Sequence, residues 1–160
     1  MTTAIKGNDT STFGGAITAN NVGAGNILQV VNSTFTSAIS TTSSSLVTTG
    51  YSASITPSST SNKIIVMFGF TGGNNTNTGS GIRLGIYRGA TNLTGTTGYF
   101  TWTQTSGVSL GTAINYVDSP ATTSATTYTI YYGASNGTAY MQANGTSDFP
   151  AMLILMEVAG

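Results

Sequence analysis

The side chains able to do acid–base, nucleophilic or metal chemistry are few enough to name in full. The carboxylates are Asp9, Asp118, Asp148 and Glu157, the cations are Lys6, Lys63, Arg83 and Arg88, and the 160 residues include neither histidine nor cysteine. Ser-His-Asp and Cys-His constellations are therefore excluded, and so are disulfides and thiolate metal sites. No serine stands three residues before Lys6 or Lys63, which removes a Ser-x-x-Lys nucleophile, and no GxxxxGK[ST] phosphate loop occurs. Four scattered acids are a thin basis for the paired carboxylates of a glycosidase. Asp118 and Asp148 could join loop carbonyls around a calcium ion. The simpler expectation for Asp118-Ser119-Pro120 is a turn whose carboxylate accepts backbone N–H bonds. The expectation is a protein with no catalytic residue, no metal and no cofactor.

Two further residue groups carry binding chemistry. Glu157 interrupts an otherwise apolar segment, 151–158, where an unpaired carboxylate is costly. Its expected partner is Lys63, Arg83 or Arg88, either as an ion pair between subunits or at a rim open to water. The stretch 98–104 gathers Tyr99, Phe100 and Trp102 within four residues, the Trp being the single one in the chain. Exposed aromatics of this kind grip sugar rings and protein partners, so these three are candidate receptor contacts; the competing expectation is an aromatic core strand.

The elements that must position these residues follow from composition. Only 5% of residues are charged and the net charge is zero, against about a quarter charged in an average domain. Polarity comes instead from 31 Thr, 19 Ser and 13 Asn, with 21 Gly. Threonine suits a pleated surface, and Gly and Asn suit tight turns, so strands are favoured over helices. Hydrophobic residues reach 39%, enough for a folded core. A neutral surface lacks the repulsion that keeps monomers apart, which points to a stable assembly. The apolar runs 64–68 and 151–156 fall far short of the ~20 residues of a membrane helix. No secretory h-region follows Met1, and no basic stripe exists to engage phosphates, so neither membrane insertion nor nucleic-acid binding is expected.

Residues 1–26 read as an extended arm. Their larger apolar residues, Ile5, Phe13, Ile17 and Val22, are sparse, and Gly14-Gly15 and Gly23-Ala24-Gly25 interrupt any helix. Such a segment needs a partner to lie against, and these four residues are its candidate docking contacts. From residue 27, strand-like segments alternate with turn clusters: 27–34, 45–49 and 51–55 broken at Gly50, 63–71, 82–88, 108–117, 126–132, 139–143 and 151–158. Segment 126–132 is expected to pair with 139–143 through the loop carrying Asn136-Gly137. In the last segment Met152, Ile154, Met156 and Val158 share one face, opposite Leu153, Leu155 and Glu157. Apolar residues on both faces imply that one lines a core and the other is covered by a second subunit, so these four residues and Glu157 are the candidate interface. About eight to ten short strands with regular turns describe an all-β sandwich or barrel over 27–160.

Thr3-Ala4-Ile5-Lys6-Gly7-Asn8-Asp9-Thr10, followed by Thr12-Phe13-Gly14-Gly15, resembles the N-terminal segment of bacteriophage tail-fibre proteins. Residues 54–66 (SITPSSTSNKIIV), 118–120 (DSP), 122–128 (TTSATTY) and the ending 156–160 (MEVAG) resemble a small jelly-roll domain recurrent in phage virion proteins, those of cyanophages included. The resemblance implies a jelly-roll-like antiparallel β-sandwich behind the arm, trimeric and similar in outline to tumour-necrosis-factor-like heads. It implies a non-enzymatic virion protein: a homotrimeric tail fibre or adhesin whose arm docks on tail or baseplate proteins while the head meets the host surface, a glycan being one target. The alternative is a capsid decoration, or cement, protein, because a chain this short leaves almost no fibre shaft.

Overall fold

The computed structural model describes residues 25–75, 80–95, 99–103, 110–142 and 149–160. The alternation of apolar and polar residues produces eleven strands among them: β1 (Ile27–Phe35), β2 (Ile39–Thr41), β3 (Val47–Ile55), β4 (Lys63–Asn75), β5 (Ser80–Arg88), β6 (Thr91–Asn92), β7 (Tyr99–Thr103), β8 (Leu110–Asp118), β9 (Thr126–Ala134), β10 (Ala139–Met141) and β11 (Ala151–Val158). All pairings are antiparallel. In the first sheet β11 lies between β1 and β4, and β8 takes the other edge of β4. The far end of the long β4 also pairs with β10, which carries β2. In the second sheet β9 lies between β3 and β5, and the other edge of β5 takes β7 and β6. The main strands thus run β1-β11-β4-β8 in one layer and β3-β9-β5-β7 in the other. The chain crosses between layers after β2, β3, β4, β7, β8 and β9, which is the jelly-roll order of a two-sheet sandwich.

The core lies between the layers. Ile64, Val66 and Phe68 of β4 and Leu153 and Leu155 of β11 face Ile82, Leu84 and Ile86 of β5 and Tyr128, Ile130 and Tyr132 of β9, all essentially without solvent contact. Each such side chain contributes about 1.5–3 kcal/mol through burial. Phe35 stacks on Tyr51 with ring centroids 4.3 Å apart, and the Tyr51 hydroxyl donates to the Ser37 carbonyl at 2.5 Å. This pair ties the start of the first sheet to the second.

Two expected pairings differ. β9 does not form a hairpin with β10: β9 belongs between β3 and β5, whereas β10 sits on β4 in the opposite layer. The Asn136-Gly137 turn still reverses the chain, with Gly137 at φ 69° and its N–H on the Asn136 side chain, but it hands the chain from one sheet to the other. Segments 45–49 and 51–55 are one strand rather than two. Gly50, at φ 78°, makes a bulge between Thr48 and Ser52, and pairing with β9 resumes beyond it.

Candidate assembly face

Register sorts the residues of the first sheet into an inner and an outer set. The outer residues form rows across four strands: Val30–Met156–Ile65–Val117, then Asn32–Ile154–Met67–Asn115, then Thr34–Met152–Gly69–Ala113. Four apolar side chains make up the first row. The one charged residue in register with these rows is Lys63, opposite Val158 at the edge. Val30 and Val117 are each 57% exposed and Met152 is 38% exposed, while Ile154, Met156 and Val158 are half-buried. A shallow groove of about 540 Å³, lined by Met67, Gly69, Ala113, Phe149 and Met152 among others, opens on the same face. Met152, Ile154, Met156 and Val158 therefore lie together on a contiguous outer face that the described residues leave uncovered. The neighbours from β1, β4 and β8 were not legible in the sequence, because only strand order brings them into one surface.

Glu157 belongs to the inner set and corrects two expectations. It is 1% exposed, so it stands neither on a wet rim nor on the outward face available to a second subunit. Its partners are not Lys63, Arg83 or Arg88. Oε1 accepts from the Ser58 N–H at 2.6 Å, the Ser58 hydroxyl at 2.8 Å and the Asn62 amide at 2.6 Å, and Oε2 accepts from the Gln29 amide at 2.7 Å. Asn62 and Gln29 are held in turn, by the N–H of Gly160 and by the carbonyl of Thr56. Burial by itself raises the Glu157 carboxyl, but the four donors outweigh it and hold the group below its ordinary 4.5. Dipoles from β1 and from the connection between β3 and β4 thus replace a counter-ion. Ser58 and Asn62, in the Ser/Thr/Asn-rich stretch 57–62, supply three of these donors, although nothing local links that stretch to residue 157.

Arg88 is engaged elsewhere. Its Nη1 lies 2.9 and 2.8 Å from the two carboxylate oxygens of Asp118, and the Tyr128 hydroxyl donates to Oδ2 at 2.7 Å. Asp118 ends β8 in the first sheet, and its two partners belong to β5 and β9 of the second, so this triad clasps the layers together. Asp118 accordingly takes side-chain donors rather than the backbone N–H groups expected of a turn. The Tyr128 phenol is pushed well above its ordinary 10.0, by burial first and then by the hydrogen bond and charge of Asp118, with Arg88 opposing. Arg83 donates from Nη1 to the Ser44 carbonyl at 2.8 Å. Among the described residues no group of three or more His, Cys, Asp or Glu side chains could hold a metal ion, and no helix is long and apolar enough to cross a membrane.

The arm residues Ile5, Phe13, Ile17 and Val22, and Asp148, lie outside the described residues. Tyr99, Phe100 and Trp102 are placed by their backbone alone: β7 pairs with β5, with Tyr99 opposite Leu84, Phe100 opposite Arg83 and Trp102 opposite Gly81.

No protein-family model and no curated protein matches the sequence. Solved structures do match in fold. The VP2 subviral particle of infectious bursal disease virus aligns with 80% of this chain at a TM-score of 0.50 and 14% identity. The Gx strain of the same virus aligns with 82% of it at 0.48 and 14% identity. The chain spans about a third of the length of these proteins, 32% in both. At this identity the likeness is one of architecture: the chain is an all-β antiparallel two-sheet sandwich resembling the jelly-roll domain of a viral capsid protein.

Proposed function

We propose that this protein is a non-enzymatic structural component of a bacteriophage virion that acts as a homotrimer. The arm, residues 1–26, docks on another virion protein, and the sandwich, residues 27–160, projects as a tail-fibre or adhesin head toward the host surface. The observation that carries the reading is the outer face of the β1-β11-β4-β8 sheet. A face with one edge lysine and one all-apolar row has little like-charge repulsion to prevent copies of itself from packing there. The resemblance of residues 3–15 and 54–66 to phage virion proteins, and the capsid-protein-like fold, support the virion as its location.

A second reading, capsid decoration, is favoured by the likeness to a capsid-protein domain. The two separate on copy number: a few copies per particle mean a fibre, and a number in proportion to the capsid subunits means decoration. Light scattering on the purified chain tests the common premise. The expected mass is three times 16.2 kDa, and a single 16.2 kDa species at micromolar concentration would overturn it.

A further inference from the structure

The outer face of the second sheet points the other way across the sandwich and has a different chemistry. Tyr87 of β5 and Tyr131 of β9 are diagonal neighbours there, since Tyr87 is in register with Thr129 and Tyr131 with Gly85. Their rings stack with centroids 3.7 Å apart and planes within 20°, and both side chains are half-exposed. Neither phenol oxygen is hydrogen-bonded to another described residue. Tyr51 and Tyr128, in contrast, each place the hydroxyl on an acceptor. Two stacked phenols with unengaged hydroxyls thus offer donors and acceptors on this face.

The surroundings shape these rings into a step. Gly85 and Gly133 lack the side chains that would keep residues 43–46 off the sheet. A Cβ at Gly133 would sit 3.0 Å from the Ser45 carbonyl oxygen, and one at Gly85 would sit 2.7 Å from Leu46 Cδ1 and 3.3 Å from Thr94 Oγ1. Leu46 and Thr94 therefore form a wall beside the tyrosine pair. On the open side, Ser52 and Thr129 share the cross-strand row of Tyr87 and add hydroxyls. Among the described residues the one charged side chain on this face is Arg83, and it is held by Ser44.

We infer that this step is a binding site for a neutral sugar, with Tyr87 and Tyr131 as its contact residues. The apolar C–H face of a pyranose packs on an aromatic ring, and its hydroxyls exchange hydrogen bonds with the phenols and with Ser52 and Thr129. The groups offered beside the rings are hydroxyls rather than charges, which suits a neutral glycan. The inference rests on the proposed assembly in one respect: packing copies through the first sheet leaves the second sheet outward and presents several sites at once, which raises avidity without new contacts.

Saturation-transfer NMR and titration calorimetry on the full chain test this, with mannohexaose, maltohexaose and cellohexaose as neutral probes and a hyaluronan hexasaccharide as the anionic control. The expected result is binding of at least one neutral probe, weakened tenfold or more by Tyr87→Ala and by Tyr131→Ala at an unchanged melting temperature. Should either alanine variant unfold, Tyr87→Phe and Tyr131→Phe remove the hydroxyls alone and are expected to weaken binding severalfold. Binding of no neutral probe, binding of the anionic probe alone, or binding indifferent to all four substitutions would overturn the inference. A monomeric chain that still binds through the tyrosines would refute the assembly and leave the site standing.

Discussion

Glu157 is a buried anion stabilised without a cation, so its replacements have a defined order. Glu157→Gln keeps the shape but turns an amide N–H₂ toward the donors of Ser58, Asn62 or Gln29, and is expected to lower unfolding stability by about 2 kcal/mol. Glu157→Ala leaves all four donors without an acceptor and is expected to lower it by about 3 kcal/mol or more. Because the donors belong to the same chain, urea denaturation at two protein concentrations should give the same loss relative to the parent. A loss that grows on dilution would place the carboxylate in the association instead. The depressed folded-state value sets the pH dependence: the contribution is full above the ordinary 4.5 and is lost as pH falls through the lowered value. Glu157→Gln should accordingly flatten part of the acid limb of the stability profile. Tyr128 has the opposite sign. Its raised phenol means that the fold holds the neutral form, so stability is full below pH 10.0 and declines above it as the unfolded chain ionises. Tyr128→Phe should lower stability by about 1.5–3 kcal/mol near neutrality and reduce that alkaline decline.

At the scale of elements, β4 and β11 are apolar on both faces, yet one face of each is buried by the chain itself. Leu153, Leu155, Val66 and Phe68 pack against the second sheet, whereas Met152, Ile154, Met156, Ile65 and Met67 look outward. A charge at an already exposed outward position tests that face without disturbing the core. Val117→Lys combined with Val30→Lys is expected to shift the purified protein to monomers while its far-ultraviolet spectrum and core melting stay near those of the parent. Light scattering and circular dichroism read the two effects separately. Exposed surface substitutions by themselves usually change stability by less than about 0.5 kcal/mol, so a trimer that survives both lysines would move the interface to another face.

For the whole molecule, the jelly-roll order brings both ends of the described chain to one end of the first sheet. The Gly25 N–H donates to the Ala159 carbonyl at 2.8 Å, and the Ala159 N–H donates to the Asn26 carbonyl at 2.9 Å. Gly25 and Asn26, where the proposed arm would join the sandwich, therefore lie beside the C-terminal strand. A chain truncated to begin at Asn26 keeps every core residue named above, and it is expected to retain its oligomer and most of its melting temperature. It should fail to decorate particles in a reconstitution with arm-deficient virions. Unfolding on truncation would mean that residues 1–25 are an integral part of the sandwich.

Strand positions, the two-faced character of β11 and the all-β class were determined by the sequence itself. A period of two in Met152-Leu153-Ile154-Leu155-Met156-Glu157 already separates the two faces, because successive side chains on a strand point to opposite sides. Turn chemistry at Asn136-Gly137 marked where a strand ends. Partner identity was decided only in three dimensions. The Gln29 donor to Glu157 lies 128 residues away, and Arg88 and Asp118 are 30 residues apart. Nothing in local periodicity ranks such partners, since every charged residue competes equally until strand order is known. The same holds for β10, which an Asn-Gly turn joins to β9 in sequence but which finds its hydrogen bonds on β4. Hairpin signals report that the chain reverses, whereas the layer that receives the next strand depends on which inner face must be buried. The Tyr87–Tyr131 stack belongs to this second class as well: its residues lie on strands whose adjacency the tertiary fold alone creates.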